Sequence, residues 1–271
     1  MDFSKPIKDK DCRKLEAAPV LDSSLFSYRF YADDRVVNGT DLFIDTSGQL
    51  LVAADNKNGN KYLVEHTYPH RVANAYAACW LADKLGIPAP KAWLLLPNPI
   101  FASKYAVAIE FIEESVGFEK AFLPEELKEE LFGQFAFHAL IGSANRMRLR
   151  LSGGHIYACD FSEAFCFDND MVFPILRHNK NAGREMMKHK LDAFRRYIGN
   201  QSFDIPKLAE EFQFDREELK AGMIAAAKRV LDVPDCEIRA MTDELMKGYP
   251  AVIAAYYVEC IRFLQDWIKR F

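Results

Sequence analysis

The hydrophobic period of this 271-residue chain changes once, and that change limits what it can fold into. Before about residue 112 the apolar residues fall in short runs of strand type: LFSYRFYA, TDLFIDT, QLLVAAD and KYLVEH. DDRVVNG, SG and NKNGN separate them, and these are the residues tight turns require. From Pro124 onward the apolar residues recur at helical spacing instead. One helix interrupts the β part, over 69–85, with proline in its first turn and Gly86 placed as its C-terminal cap. Strands are predicted over 92–96 and 105–111, and the polar stretch 113–120 reads as a hinge. The expected architecture is α+β: a small antiparallel β lobe with one helix, joined to a larger, mainly helical lobe. The expected limits are an arm over 1–24, the β lobe over 25–112 and the helical lobe over 113–271.

Within the helical part, a capping pattern at Asp215-Arg216-Glu217-Glu218 starts a helix running to about residue 231. Further helices are expected over 181–198, 235–247 and 249–270. Half the residues are apolar and 13% aromatic, enough for a substantial core. The formal net charge of −4 argues against a general binder of nucleic acid or anionic membrane. The last helix carries Glu259, Arg262 and Asp266, which excludes it as a membrane span. Six scattered cysteines with no paired spacing read as reduced thiols. The opening MDFSKPIKDKDCRK has no apolar leader core, so a cytoplasmic protein is expected. The histidines show no metal spacing with the cysteines.

Residues 137–165, FHALIGSANRMRLRLSGGHIYACDFSEAF, carry the most chemical information. They read as a helix end, a Gly/Ser/Asn break, a strand, a Ser-Gly-Gly turn, a second strand and an Asp-Phe-Ser turn. Three segments over residues 61–165 together resemble the HipA-like kinases, distant relatives of phosphatidylinositol kinases and protein kinases. KYLVEHTYPHRVANAYAACWLADKLGIPAPKAWLL is similar to that family's YLVK strand, its NE pair and its helix ending in LGxPxP. FGQFAFHALIGSANRMRLRL resembles the catalytic loop LIGNxDRHxxNxL. GGHIYACDFSEAF resembles the metal-binding turn IDFxxAF. The resemblance implies a two-lobed, protein-kinase-like fold.

It also implies a set of chemical positions, and most are altered. The phosphate-holding lysine falls at Glu65, where an acid would repel phosphate. Its helix glutamate falls at Ala75. The catalytic aspartate falls at Asn145, whose amide is no base near neutral pH. The loop's metal-binding asparagine falls at Arg150, whose guanidinium either excludes a cation or stands in for one. Asp160 alone persists among the charged positions, either as a metal ligand or as a turn residue paired with Arg150 or Arg146. Lys61, on the same strand face as Glu65, is the remaining candidate for holding a nucleotide. The glycine-rich loop reduces to Asp45-Thr46-Ser47-Gly48-Gln49, with one glycine.

These readings imply a pseudokinase acting as a binding or regulatory module, with no cofactor and with another protein as its partner. The resemblance further implies a bacterial toxin–antitoxin or phage-defence setting. The alternative is a divergent ATP-dependent phospho- or nucleotidyl-transferase that uses Asp160 and Mg-ATP. Residues 177–196 hold seven cations against two acids. Arg177, Lys180, Arg184, Lys188 and Arg195 form the candidate interaction face, suited to an acidic protein more than to nucleic acid.

Overall fold

Asn58-Gly59 closes the turn between the strands that end at Asp55 and begin at Lys61, and its chemistry helps set their register. Gly59 takes φ +75°, a conformation costly for a side chain, and its N–H donates to the Asp55 carbonyl at 2.8 Å. The Asn58 side chain accepts from the Asn60 N–H at 2.8 Å. The computed structural model describes residues 26–32, 35–37, 51–66, 68–95, 101, 105–112, 115–118, 123–143, 147–200 and 203–271. The TDLFIDT run and the turn at 46–48 lie outside them.

Six strands form the first sheet: β1 (Phe26–Ala32), β2 (Arg35–Val37), β3 (Leu51–Asp55), β4 (Lys61–Glu65), β5 (Ala92–Leu94) and β6 (Val107–Glu110). Their order is β2-β1-β3-β4-β6-β5, and every neighbouring pair is antiparallel. Alternation gives the sheet two apolar faces. Tyr62, Val64, Leu51, Ala53 and Ala108 pack with Phe26 and Phe101 on one. Val107 and Leu94 join the main core on the other, beneath helix α1 (Pro69–Leu85). That helix has the predicted bounds, and the Gly86 N–H closes it onto the Ala82 and Asp83 carbonyls.

The expected hinge contains a strand. β7 (Val116–Gly117) pairs antiparallel with β8 (Arg148–Ser152), which pairs with β9 (His155–Cys159). This second sheet lies against α2 (Lys128–Leu140), whose buried Gln134 donates to the Pro88 and Ile156 carbonyls. Beyond it come α3 (Val172–His178), α4 (Lys180–Asn200), α5 (Ile205–Phe212), α6 (Arg216–Lys228), α7 (Asp235–Met246) and α8 (Ala251–Ile268). The Asp215 carboxylate caps α6 by accepting from the Glu217 and Glu218 N–H groups, at 3.0 and 2.9 Å. The sequence reading did not resolve α3 or α5, which run for seven and eight residues. α8 is the central helix, with Tyr256, Tyr257, Ile261 and Leu264 buried along it. Among the described residues no helix is long and apolar enough to cross a membrane.

Candidate functional site

The site is built between β4, α1 and the segment that follows β9. Glu65 ends β4 directly opposite Val107, so both lie on the face that covers α1. Its side chain is only 7% exposed. The position that the resemblance gives to a phosphate-holding lysine is thus a buried acid. Ala75 sits in the middle of α1, in the main core at 2% exposure. Lys61 begins the same strand and is exposed, with its Cα about 13 Å from that of Glu65 at four strand residues' rise. The strand therefore holds Lys61 well away from Glu65, though period two does put them on one face.

Helix α2 ends in the Gly142 turn, where Gly142 takes φ +56° and Ser143 is buried. Asn145 and Arg146 lie outside the described residues. Beyond them, β8 and β9 alternate cleanly. Ile156 and Ala158 face the core, with Leu149 and Leu151 against it, whereas Arg148, Arg150, Tyr157 and Cys159 share the opposite face. Arg150 is held by the linking segment: its Nε donates to Ser115 Oγ at 2.7 Å and its terminal nitrogen to the Ser115 carbonyl at 3.0 Å. Among the described residues the cation beside Asp160 is Arg148, at 3.7 Å, and not Arg150. With Arg148 76% exposed, that ion pair is worth little. Burial pushes the nearby Cys159 thiol up to about 11, against the opposing pull of Arg150.

Residues 160–167 adopt a strained path that their surroundings over-determine. Asp160, Phe165 and Cys166 take φ of 67°, 59° and 53°, each costing of order 1–3 kcal/mol for a residue with a side chain. Ser162 Oγ donates to the Asp160 carboxylate at 2.9 Å. From α1, the buried Asn74 amide donates to the Ser162 and Phe167 carbonyls at 2.8 and 2.7 Å. The Asn74 oxygen accepts from the Tyr257 hydroxyl at 2.8 Å, and the Tyr256 hydroxyl donates to the Phe165 carbonyl. Arg71 pairs with Glu163 at 2.9 Å, which gives Glu163 a partner the sequence reading did not foresee. Asp170 accepts from the His70 N–H at 3.0 Å and contacts His70 Nδ1 at 2.8 Å. Tyr249 donates to the Pro69 carbonyl at 2.9 Å. Buried Tyr249 is held far above its ordinary range by desolvation first, then by Tyr257 and Tyr105, with Asp170 and Glu65 adding to the push.

Thus α1 is tied to the helical lobe through its Asn, His and Arg side chains. Asn74, which the resemblance matches to the first residue of the NE pair without giving it a role, makes three of these bonds. Its signal was an amide amid the small apolar residues of RVANAYAAC, on a helix otherwise turned to the core. Of the described carboxylates of the site, Glu65 is buried, Glu163 is paired with Arg71 and Asp170 with His70, and Asp160 lies part-exposed next to the Arg148 guanidinium. Among the described residues no group of three His, Cys, Asp or Glu side chains could hold a metal ion. Five of the cysteines are free thiols, and Cys12 lies outside the described residues.

The basic face divides in two. Lys188 pairs with Glu185 at 2.6 Å, and Arg195 with Asp192 and Glu259 at 3.7 and 3.4 Å. Lys190 pairs with Asp168. Arg177, Lys180 and Arg184 have no ion pair among the described residues, and they line a groove of about 660 Å³.

No protein-family model matches the chain, and no curated protein matches it in sequence. Among solved structures it is similar to the crystal structure of a Helicobacter pylori proinflammatory kinase, CtkA. The TM-score is 0.52 and the identity 11%, over 93% of this chain and 99% of that one. At that identity the likeness speaks to the fold alone, and the fold is the expected one: α+β, two-lobed and protein-kinase-like.

Proposed function

We propose that the protein is a HipA-like pseudokinase, a kinase fold that serves as a binding or regulatory module and not as a phosphoryl-transfer enzyme. The observation that carries the reading is Glu65, a buried carboxylate where phosphate should meet a lysine. Phosphoryl transfer depends on positioning and on neutralising phosphate charge, and this position does the opposite. Ala75 supports the reading, because a core alanine offers no carboxylate to pair with a restored lysine. Asn145 in place of the proton acceptor adds a further loss. Each such group is worth about 10²-fold or more in rate, so their joint absence removes most of the catalysis. The toxin–antitoxin or phage-defence setting belongs to the same proposal and rests on the resemblance.

One observation favours the alternative. Asp160 is retained and its side chain remains 31% exposed beside Arg148, open to a ligand. In that reading Asp160 would hold the metal of Mg-ATP in phospho- or nucleotidyl transfer. Incubation with ATP labelled at the γ- or the α-phosphate separates the two. The pseudokinase reading predicts no incorporation above the protein-free background from either label. Incorporation that disappears in Asp160→Ala would establish the transferase instead, and the label retained would say which group moves.

A further inference from the structure

The groove beside α4 has a composition that a solvated helix face does not need. Its floor is apolar and aromatic, built from Tyr105, Phe173, Leu176 and Val252. Its rim holds Arg177 at the end of α3, and Lys180 and Arg184 one turn apart at the start of α4. These three like charges repel one another and have no carboxylate partner among the described residues, whereas Lys188, Lys190 and Arg195 farther along α4 do. The first turn of α8 opens into the same groove at Ala251. That helix has no side-chain cap and no acid in its first turn, so its amide ends add to the positive field. No acid is among the described lining residues, and three acids of neighbouring elements are engaged or buried. Asp170 is taken up by His70, Glu185 by Lys188, and Glu65 is buried.

The volume falls within the range of ligand sites, but the lining does not suit a nucleotide. Apart from the three cations, the Tyr105 hydroxyl is the one polar side-chain group among the described lining residues, so a base and a sugar would go largely unmatched. An apolar side chain with carboxylates on either side matches the floor and the rim together. We propose that this groove is the docking site for a segment of a partner protein in which an apolar anchor is flanked by acidic residues. The occupant touches both lobes, since Pro69 and Tyr105 come from the β lobe and the rest from the helical lobe. The proposal rests on the reading of the chain as a binding module, but not on the state of the Glu65–Asp160 cleft.

A displayed library of random twelve-residue peptides, sorted on the full-length protein, tests it. Two variants serve for counter-selection, Lys180→Glu/Arg184→Glu and Ala251→Glu. The second places a carboxylate at a helix start, where it favours folding, so loss of binding there is not loss of structure. The recovered peptides should be rich in Asp and Glu around a Phe, Trp or Leu. Their affinity should fall about tenfold or more in each variant and weaken as salt rises. Recovery of no binder, of binders without acidic enrichment, or of binders indifferent to both variants would overturn the proposal. So would full displacement by millimolar ATP that is itself abolished by Ala251→Glu, because the groove would then be a small-anion site. ATP binding lost in Asp160→Ala and kept in Ala251→Glu would count against the pseudokinase reading alone.

Discussion

Asn74 bears more of the candidate site's structure than any of the residues singled out by their chemistry. It satisfies two carbonyls of the turn after Asp160 and one hydroxyl of α8, the Ser162 carbonyl part-buried and the other two groups away from water. Its replacement by alanine leaves two groups buried and one part-buried without partners, the buried ones each at a cost of roughly 1–3 kcal/mol. Asn74→Ala should therefore lose about 3 kcal/mol or more in urea unfolding, against about 1 kcal/mol for Tyr257→Phe. Equal losses would show that the amide does not hold the turn. These contacts were not legible in the sequence because their partners lie 88, 93 and 183 residues away. On the basic face, likewise, half-buried Arg195 is paired with Glu259, 64 residues on, while exposed Arg184 on the same helix has no ion pair among the described residues. Residue identity at a motif position was readable at Glu65, Ala75 and Asp160. The partner that fixes each side chain was not, and Arg148 rather than Arg150 beside Asp160 is the clearest instance.

Elements with their own local signals were legible, and those that depend on a neighbour were not. The proline and glycine bounding α1, the Asp215 cap of α6 and the Asn58-Gly59 turn act within a few residues, and the structure keeps each. β7 is two residues long and exists through its pairing with β8, so nothing in Val116-Gly117 alone announces it. α3 is two turns with a proline inside, too short to show a period. Close packing of elements is likewise hidden until the helices are set side by side. A Cβ on Gly222 of α6 would lie 2.4 Å from the buried Phe132 ring of α2, closer than any real contact. Gly222→Ala should thus cost about 1–3 kcal/mol. In contrast, a Cβ on exposed Gly199 of α4 meets nothing, and Gly199→Ala should be neutral or gain up to about 0.5 kcal/mol. Thermal unfolding of the two variants checks the sign of each.

For the molecule as a whole, the core holds many neutral acids that would ionise if the chain unfolded. Burial pushes Cys159 and Cys166 up to about 11 and raises Cys260, Tyr249, Tyr256 and Tyr257 well above their usual range. Above pH 9 the unfolded chain releases protons that the folded state retains, so stability falls as pH rises. The melting temperature should hold between pH 7 and 8.5 and drop by several degrees near pH 10.5 (~2 pH units higher), as followed by circular dichroism. A flat profile would mean that these groups are already exposed. All of these but Cys159, which ends β9, lie on or beside α8, in the lobe whose helical period was plain in the sequence. Glu65 carries the central claim, that this kinase-like fold has a charge pattern hostile to nucleotide phosphate. Thermal shift with 1 mM ATP, with and without Mg²⁺, tests that claim most directly. Binding at about 10 μM would stabilise the fold by about 2.7 kcal/mol and raise the midpoint by roughly 5 °C or more. The charge pattern set by Glu65 predicts a shift under about 0.5 °C with no dependence on Mg²⁺; a Mg²⁺-dependent rise of several degrees, lost in Asp160→Ala, would contradict it.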